Sequence, residues 1–158
     1  GGISNVPWMH PQVTQDVIHA ISLRYTLMPT LWTLFERASQ LHEPIIRPTF
    51  YDFPDDAQCY ADCDDFMVGD SLLMAPVVEP GMTERLVYLP KLAASDAAWY
   101  DFETGKSYAA GQMHTVDAPL SRLPLFVRSG ARIAVSRARP GQRASYDDPV
   151  MQVRQFGV

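Results

Sequence analysis

The sequence predicts a mainly β fold, an antiparallel β-sandwich preceded by one long α-helix. Three observations predict it. Between Thr14 and Leu41, the mildly polar residues His19, Ser22, Thr26, Thr30, Thr33, Arg37 and Gln40 recur every three or four positions. That is the repeat of one stripe on a 3.6-residue helix. After Pro48 the period changes, and short apolar runs separated by Gly, Pro, Asp or Ser continue to the end. Glycine and proline supply 9 and 13 of the 158 residues, as many short strands joined by turns require.

Residues 1–13 read as turns, with Pro7, Trp8 and Pro11. The helix follows, with Thr14 as its expected N-cap and Asp16 in its first turn. Around the polar stripe lie Ile18, Ile21, Leu23, Leu27, Met28, Leu31, Trp32, Leu34, Phe35, Ala38 and Leu41. So wide an apolar surface needs cover on more than one side. Pro29 removes one backbone hydrogen bond and is expected to kink the helix near Tyr25. Strands are expected at Phe66–Val68, Ser71–Val78, Leu86–Leu89, Ala98–Phe102, Thr115–Val116, Leu125–Arg128, Arg132–Val135 and Val150–Phe156. Glu103-Thr104-Gly105-Lys106 and Ser129-Gly130 read as turns between them. Arg137–Asp148, rich in Arg, Ala, Pro, Gly and Ser, reads as a linker.

The formal net charge of −5 argues against a nucleic-acid partner, which needs clustered Lys and Arg. No membrane partner is expected either, because no apolar run approaches the roughly 20 residues of a span. Cys59 and Cys63 make no disulfide framework. Asp62, Asp64 and Asp65 lie near them, but no His sits at a ligand-like offset, and position 67 is Met where a calcium loop needs its turn Gly. No metal and no cofactor is expected. His10, His19, His42 and His114 are dispersed, and Ser71, Ser121 and Ser129 lack the context of a nucleophile elbow.

Acid–base or nucleophilic chemistry by carboxylates would need a pair of them held close together. Asp52, Asp55, Asp56, Asp62, Asp64, Asp65 and Asp70 crowd one stretch, yet nothing in their spacing selects a pair. They read as turn-forming carboxylates. Arg47, between Ile46 and Pro48, is expected to be buried and ion-paired with Asp52, Asp55 or Asp56. Trp99, Tyr100, Phe102 and Tyr108 surround a hairpin and allow two readings, sugar stacking or cross-strand packing. No residue is assigned to catalysis, substrate, cofactor or metal.

Several longer motifs stand in a fixed order. Arg24-Tyr25-Thr26-Leu27-Met28-Pro29 is followed by Pro44-Ile45-Ile46-Arg47-Pro48, then by the run from Asp65 to Val77 containing Val68-Gly69-Asp70-Ser71. Val87-Tyr88-Leu89-Pro90, Trp99-Tyr100-Asp101-Phe102 with Thr104-Gly105, Ala118-Pro119-Leu120 and Leu123 to Ala131 complete the set. In this order, from about Pro7 to Val135, the chain resembles the C-terminal part of the α-glucosidases and α-xylosidases of glycoside hydrolase family 31. That family joins a TIM-like barrel to C-terminal β-domains. The resemblance implies that residues 1–48 end the barrel with its last helix and that 49–136 form the proximal sandwich. Residues 137–158 become a linker and a final strand, or the start of a distal β-domain.

The family hydrolyses α-glycosides with retention, using two Asp residues on earlier barrel strands to which no position here corresponds. The expectation is therefore a structural segment, inactive alone. Its partner is the missing upstream barrel, with an α-glycoside as the parent's substrate and an exposed helix open to self-association. The alternative is a free-standing carbohydrate-binding or interaction module of sandwich type. The chain departs from the family pattern at Glu43, where Gly is usual, at Thr30 and Trp32, an aromatic pair in the family, and at Asp65, commonly Gln.

Overall fold

The computed structural model describes residues 11–61, 63–77, 81–94, 97–118, 123–136 and 151–157. The expected turns at residues 1–10, the linker Arg137–Asp148 and the carboxylate of Asp62 lie outside them. One helix, α1 (Pro11–Leu41), leads into strands β1 (Ile46–Pro48), β2 (Phe66–Val68), β3 (Leu72–Met74), β4 (Glu84–Leu89) and β5 (Ala98–Asp101). Then come β6 (Ser107–Ala109), β7 (Gln112–Asp117), β8 (Leu125–Arg128), β9 (Arg132–Ser136) and β10 (Met151–Gln155). Two 3₁₀ turns, Thr49–Tyr51 and Ala57–Tyr60, fill the connection from β1 to β2.

The helix begins at Pro11, not at Thr14, which lies inside the first turns. Proline suits the first helical position, where its missing N–H costs nothing and its φ is already helical. The helix runs through Pro29 to Leu41. His42 then adopts φ 57, and its N–H donates to the Ala38 carbonyl at 3.1 Å. The left-handed cap that glycine would normally take is thus taken by histidine one residue before Glu43.

The sandwich is antiparallel throughout its pairings. A six-stranded sheet in the order β1-β2-β3-β8-β5-β6 forms the central layer. The β4–β7 ribbon covers one face and the β9–β10 ribbon the other. Alternation along the strands builds both cores. Val68, Leu72, Leu125 and Val127 join Leu23 and Leu27 of α1, Ile133 and Val135 of β9, and Phe156. Their neighbours Met67, Leu73 and Phe126 point the other way, with Trp99, toward Val87, Leu89 and Val116 of the ribbon. Among the described residues 71–77 of the expected strand Ser71–Val78, Leu72–Met74 are strand. Strands β1 and β6, three residues each, carry no sequence period of their own.

Candidate functional site

The polar stripe of α1 turns toward the sandwich. Thr30 Oγ1 donates to the Ala134 carbonyl of β9 at 2.8 Å, and His19 Nε2 lies 2.9 Å from Glu103 Oε1 in the β5–β6 turn. Leu23 and Leu27 flank that stripe and enter the core. On the opposite side Ile18, Ile21 and Phe35 are 49%, 45% and 59% exposed. By helical geometry Tyr25, Met28 and Trp32 share this row, so apolar residues recur at 18, 21, 25, 28, 32 and 35. The alternating steps of three and four make a continuous seam along more than four turns. Leu41 at the end of the helix and, beyond it, Ile46, Phe50, Tyr51 and Tyr60 are also exposed, and the Phe50 and Tyr60 rings stack with centroids 5.0 Å apart. The sequence displayed a broad apolar circumference. The 3-4 spacing was the signal that isolates this row from it.

At the helix-to-sandwich junction Arg47 is buried and forked onto one carboxylate. Its Nε donates to Asp52 Oδ2 and its Nη2 to Asp52 Oδ1, both at 2.7 Å, while Nη1 donates to the Pro44 carbonyl at 3.1 Å. The guanidinium also lies over the Tyr51 ring, 4.8 Å from its centroid. Of the three expected partners, Asp52 is the one that pairs. Such a bidentate, stacked arginine fixes the geometry of the turn that follows.

Asp56 has a different task. It accepts from the Tyr88 hydroxyl at 2.7 and 3.0 Å, from the Lys91 N–H at 2.9 Å and from the Gln58 N–H at 3.3 Å. Burial alone would raise its pKa, but these bonds and the Lys91 charge together hold it below the usual carboxylate value. The same burial, with the bond to Asp56, pushes the Tyr88 phenol well above its ordinary range. Asp65 pairs with Arg85, both side chains nearly inaccessible. There desolvation outweighs the Arg85 hydrogen bond and charge, and the Asp65 pKa rises. Burial also pushes the Cys59 thiol up to about 11, with the Asp56 charge adding to it.

A recess of about 380 Å³ is lined by Asp52, Asp55, Asp56, Phe53, Lys91 and Arg128, among others. It gathers three carboxylates without the division of roles that glycoside hydrolysis needs. The general acid must hold its proton near neutral pH, and so requires a raised pKa. Asp52 is forked by Arg47, and Asp56 is shifted the wrong way. Asp65, the carboxyl with the raised value, is absent from this lining and is engaged by Arg85. The aromatic hairpin divides similarly. Trp99 and Phe102 are buried and Tyr100 packs on Phe156, so the sheet-packing reading holds for these three. Tyr108 stays partly exposed.

Comparison with known proteins gives these features a setting. The profile of the glycosyl hydrolase family 31 C-terminal domain matches residues 42–133. Alpha-glucosidase 2 of Bacillus thermoamyloliquefaciens is 38% identical over 130 residues, 82% of this chain and 16% of that protein. The alpha-xylosidase of Saccharolobus solfataricus is 40% identical over 126 residues, 79% of this chain and 17% of its own length. Among solved structures, the Flavobacterium johnsoniae GH31 dextranase complexed with glucose superposes with a TM-score of 0.83 at 32% identity. That alignment covers 99% of this chain and 19% of the dextranase. The chain thus spans less than a fifth of these relatives. With its helix, its two-cored sandwich and its matched residues, the chain belongs to glycoside hydrolase family 31 and carries that family's C-terminal domain.

Proposed function

We propose that the chain is the C-terminal structural part of a retaining α-glycosidase, buttressing a catalytic barrel that lies upstream. The parent acts on terminal α-linked glucosides or related α-glycosides. The observation that carries this is the outer seam of α1. Ile18, Ile21 and Phe35, about half exposed on the side opposite the sandwich and set in 3-4 spacing, call for apolar cover. A chain covering 14–19% of family enzymes, at their C-terminal domain, supports a barrel as that partner. In this reading residues 1–48 close the barrel and 49–136 are the proximal sandwich. Pairing of β10 with β9 supports residues 151–155 as a last sandwich strand rather than the start of a distal domain.

The catalytic list of this chain is empty in the same reading. In the recess that gathers Asp52, Asp55 and Asp56, Asp52 is forked by Arg47 and the Asp56 carboxyl is held below its usual range. A free-standing sugar-binding module finds less support, since Trp99, Tyr100 and Phe102 are used in packing and Tyr108 also packs edge-on against Phe126. The test is hydrolysis of aryl α-glucoside and aryl α-xyloside by the purified chain, alone and together with an upstream family 31 barrel supplied separately. The chain alone should give no turnover above buffer, and the pair should be active where the barrel alone is not. Turnover by the chain alone, surviving repurification, would sink the proposal.

A further inference from the structure

A polar recess of about 240 Å³ lies between the β5–β6 edge of the central sheet and β7 of the ribbon. Its walls carry Asp101, Lys106, Tyr108, Thr115 and Asp117, with buried Phe126 beneath. Tyr108 meets Phe126 edge-on with centroids 5.6 Å apart, and Lys106 Nζ stands 5.1 Å from the Tyr108 centroid. Asp101 is part of the frame: its Oδ1 accepts from the N–H groups of Glu103 and Thr104 at 2.8 and 2.9 Å, which sets the turn that presents Lys106. The Lys106 ammonium, the Thr115 hydroxyl and the Asp117 carboxylate are exposed, and among the described residues none of them forms an ion pair or side-chain hydrogen bond.

The chemistry of these walls selects a ligand class. The ammonium disfavours a metal cation and the Asp117 carboxylate disfavours an anion. An apolar ligand would leave three polar heads unsatisfied. A neutral polyol meets all of them. Vicinal hydroxyls donate to the carboxylate and accept from the ammonium, and the C–H groups of a pyranose rest against the partly exposed Tyr108. The volume falls just below the roughly 300–1,000 Å³ of common small-molecule pockets, which fits one sugar unit and not several. We propose that this recess is a non-catalytic subsite for one glucose unit of an α-linked glucan. The polyol chemistry stands on the recess itself, while the α-glucan identity rests on the proposed function.

The experiment is titration of the isotope-labelled chain with maltotriose and isomaltotriose, followed by amide chemical shifts. Shifts should concentrate in residues 101–117 and 124–126, with a dissociation constant on the order of 1–10 mM for so open a site. Asp117→Ala and Lys106→Ala should each weaken binding about tenfold, with the rest of the spectrum unchanged to show that both variants fold. No shifts up to about 50 mM sugar, five or more times that constant, would overturn the proposal. Shifts indifferent to both variants would do the same, and equal binding of cellotriose would overturn the α-glucan assignment. Complementation of a barrel is read separately, so failure of the scaffold role and failure of the subsite are distinguishable.

Discussion

At the residue scale, polar side chains hold the connections between layers, and Asp56 is the clearest case. Tyr88 and Lys91 reach it from 32 and 35 positions away. No local motif could reveal that, and the sequence showed only one Asp among seven. The arginine at 47 was legible because its own neighbours are apolar, which forces a buried charge to find a partner. The Asp56 network has a signed consequence for stability. Its pKa is lowered on folding, so the unfolded chain takes up this proton first as pH falls. The stabilisation is present above the unfolded carboxylate value of about 3.9 and is lost as pH drops through the folded one. Asp65 works in the opposite direction, its raised value favouring the folded chain as pH falls. Only a difference between variants separates the two. Asp56→Asn should cost about 2–3 kcal/mol at pH 7 by urea denaturation, and the gap to the parent chain should narrow as pH falls below the unfolded carboxylate value of about 3.9. A gap independent of pH would mean that the carboxylate charge contributes nothing.

At the scale of elements, the motif Val68-Gly69-Asp70-Ser71 acquires a physical reason. Gly69 turns the chain from β2 to β3 with φ 64, and its N–H donates to the Ile45 carbonyl at 2.8 Å. A Cβ at this position would lie 2.7 Å from Cδ2 of Leu34 on α1. Helix and hairpin therefore approach each other closely where one residue has no side chain. Gly69→Ala should cost about 2–4 kcal/mol, part from the left-handed backbone and part from displacing Leu34. In a Leu34→Ala background the same change should cost only the backbone share, about 1–2 kcal/mol. Equal costs in both backgrounds would remove the helix contact from the account. The helix itself was legible because its period is sustained over many turns. Its orientation was not, since choosing between a polar and an apolar face requires knowing what lies on each side. Thr30 bonding to Ala134 decides that choice in favour of the polar face. β1 and β6 escaped notice for another reason: three residues cannot display a period of two with any force.

For the whole molecule, the arrangement amounts to two separate demands on one helix. The face carrying Leu23 and Leu27 belongs to the sandwich core, and the seam of Ile18, Ile21 and Phe35 belongs to whatever lies beyond. These faces should respond differently to the same insult. Ile21→Glu with Phe35→Glu places charges on residues already about half exposed, so the chain alone should unfold within about 0.5 kcal/mol of the parent. The same pair should abolish complementation of an upstream barrel, because the charges would be buried unpaired on docking. Leu27→Glu puts its charge into the sandwich core, where the side chain is 6% exposed, and should unfold the chain outright, at a cost above about 4 kcal/mol. Denaturation of the two variants, read beside α-glucoside turnover in the complemented mixture, separates the faces. Intact turnover with both seam charges in place would move the barrel to another surface. The exposed Ile46, Phe50, Tyr51 and Tyr60 around the Arg47 junction would then be the next group to charge. Loss of stability in the seam variant alone would instead make the outer row part of this chain's own core, contrary to its exposure.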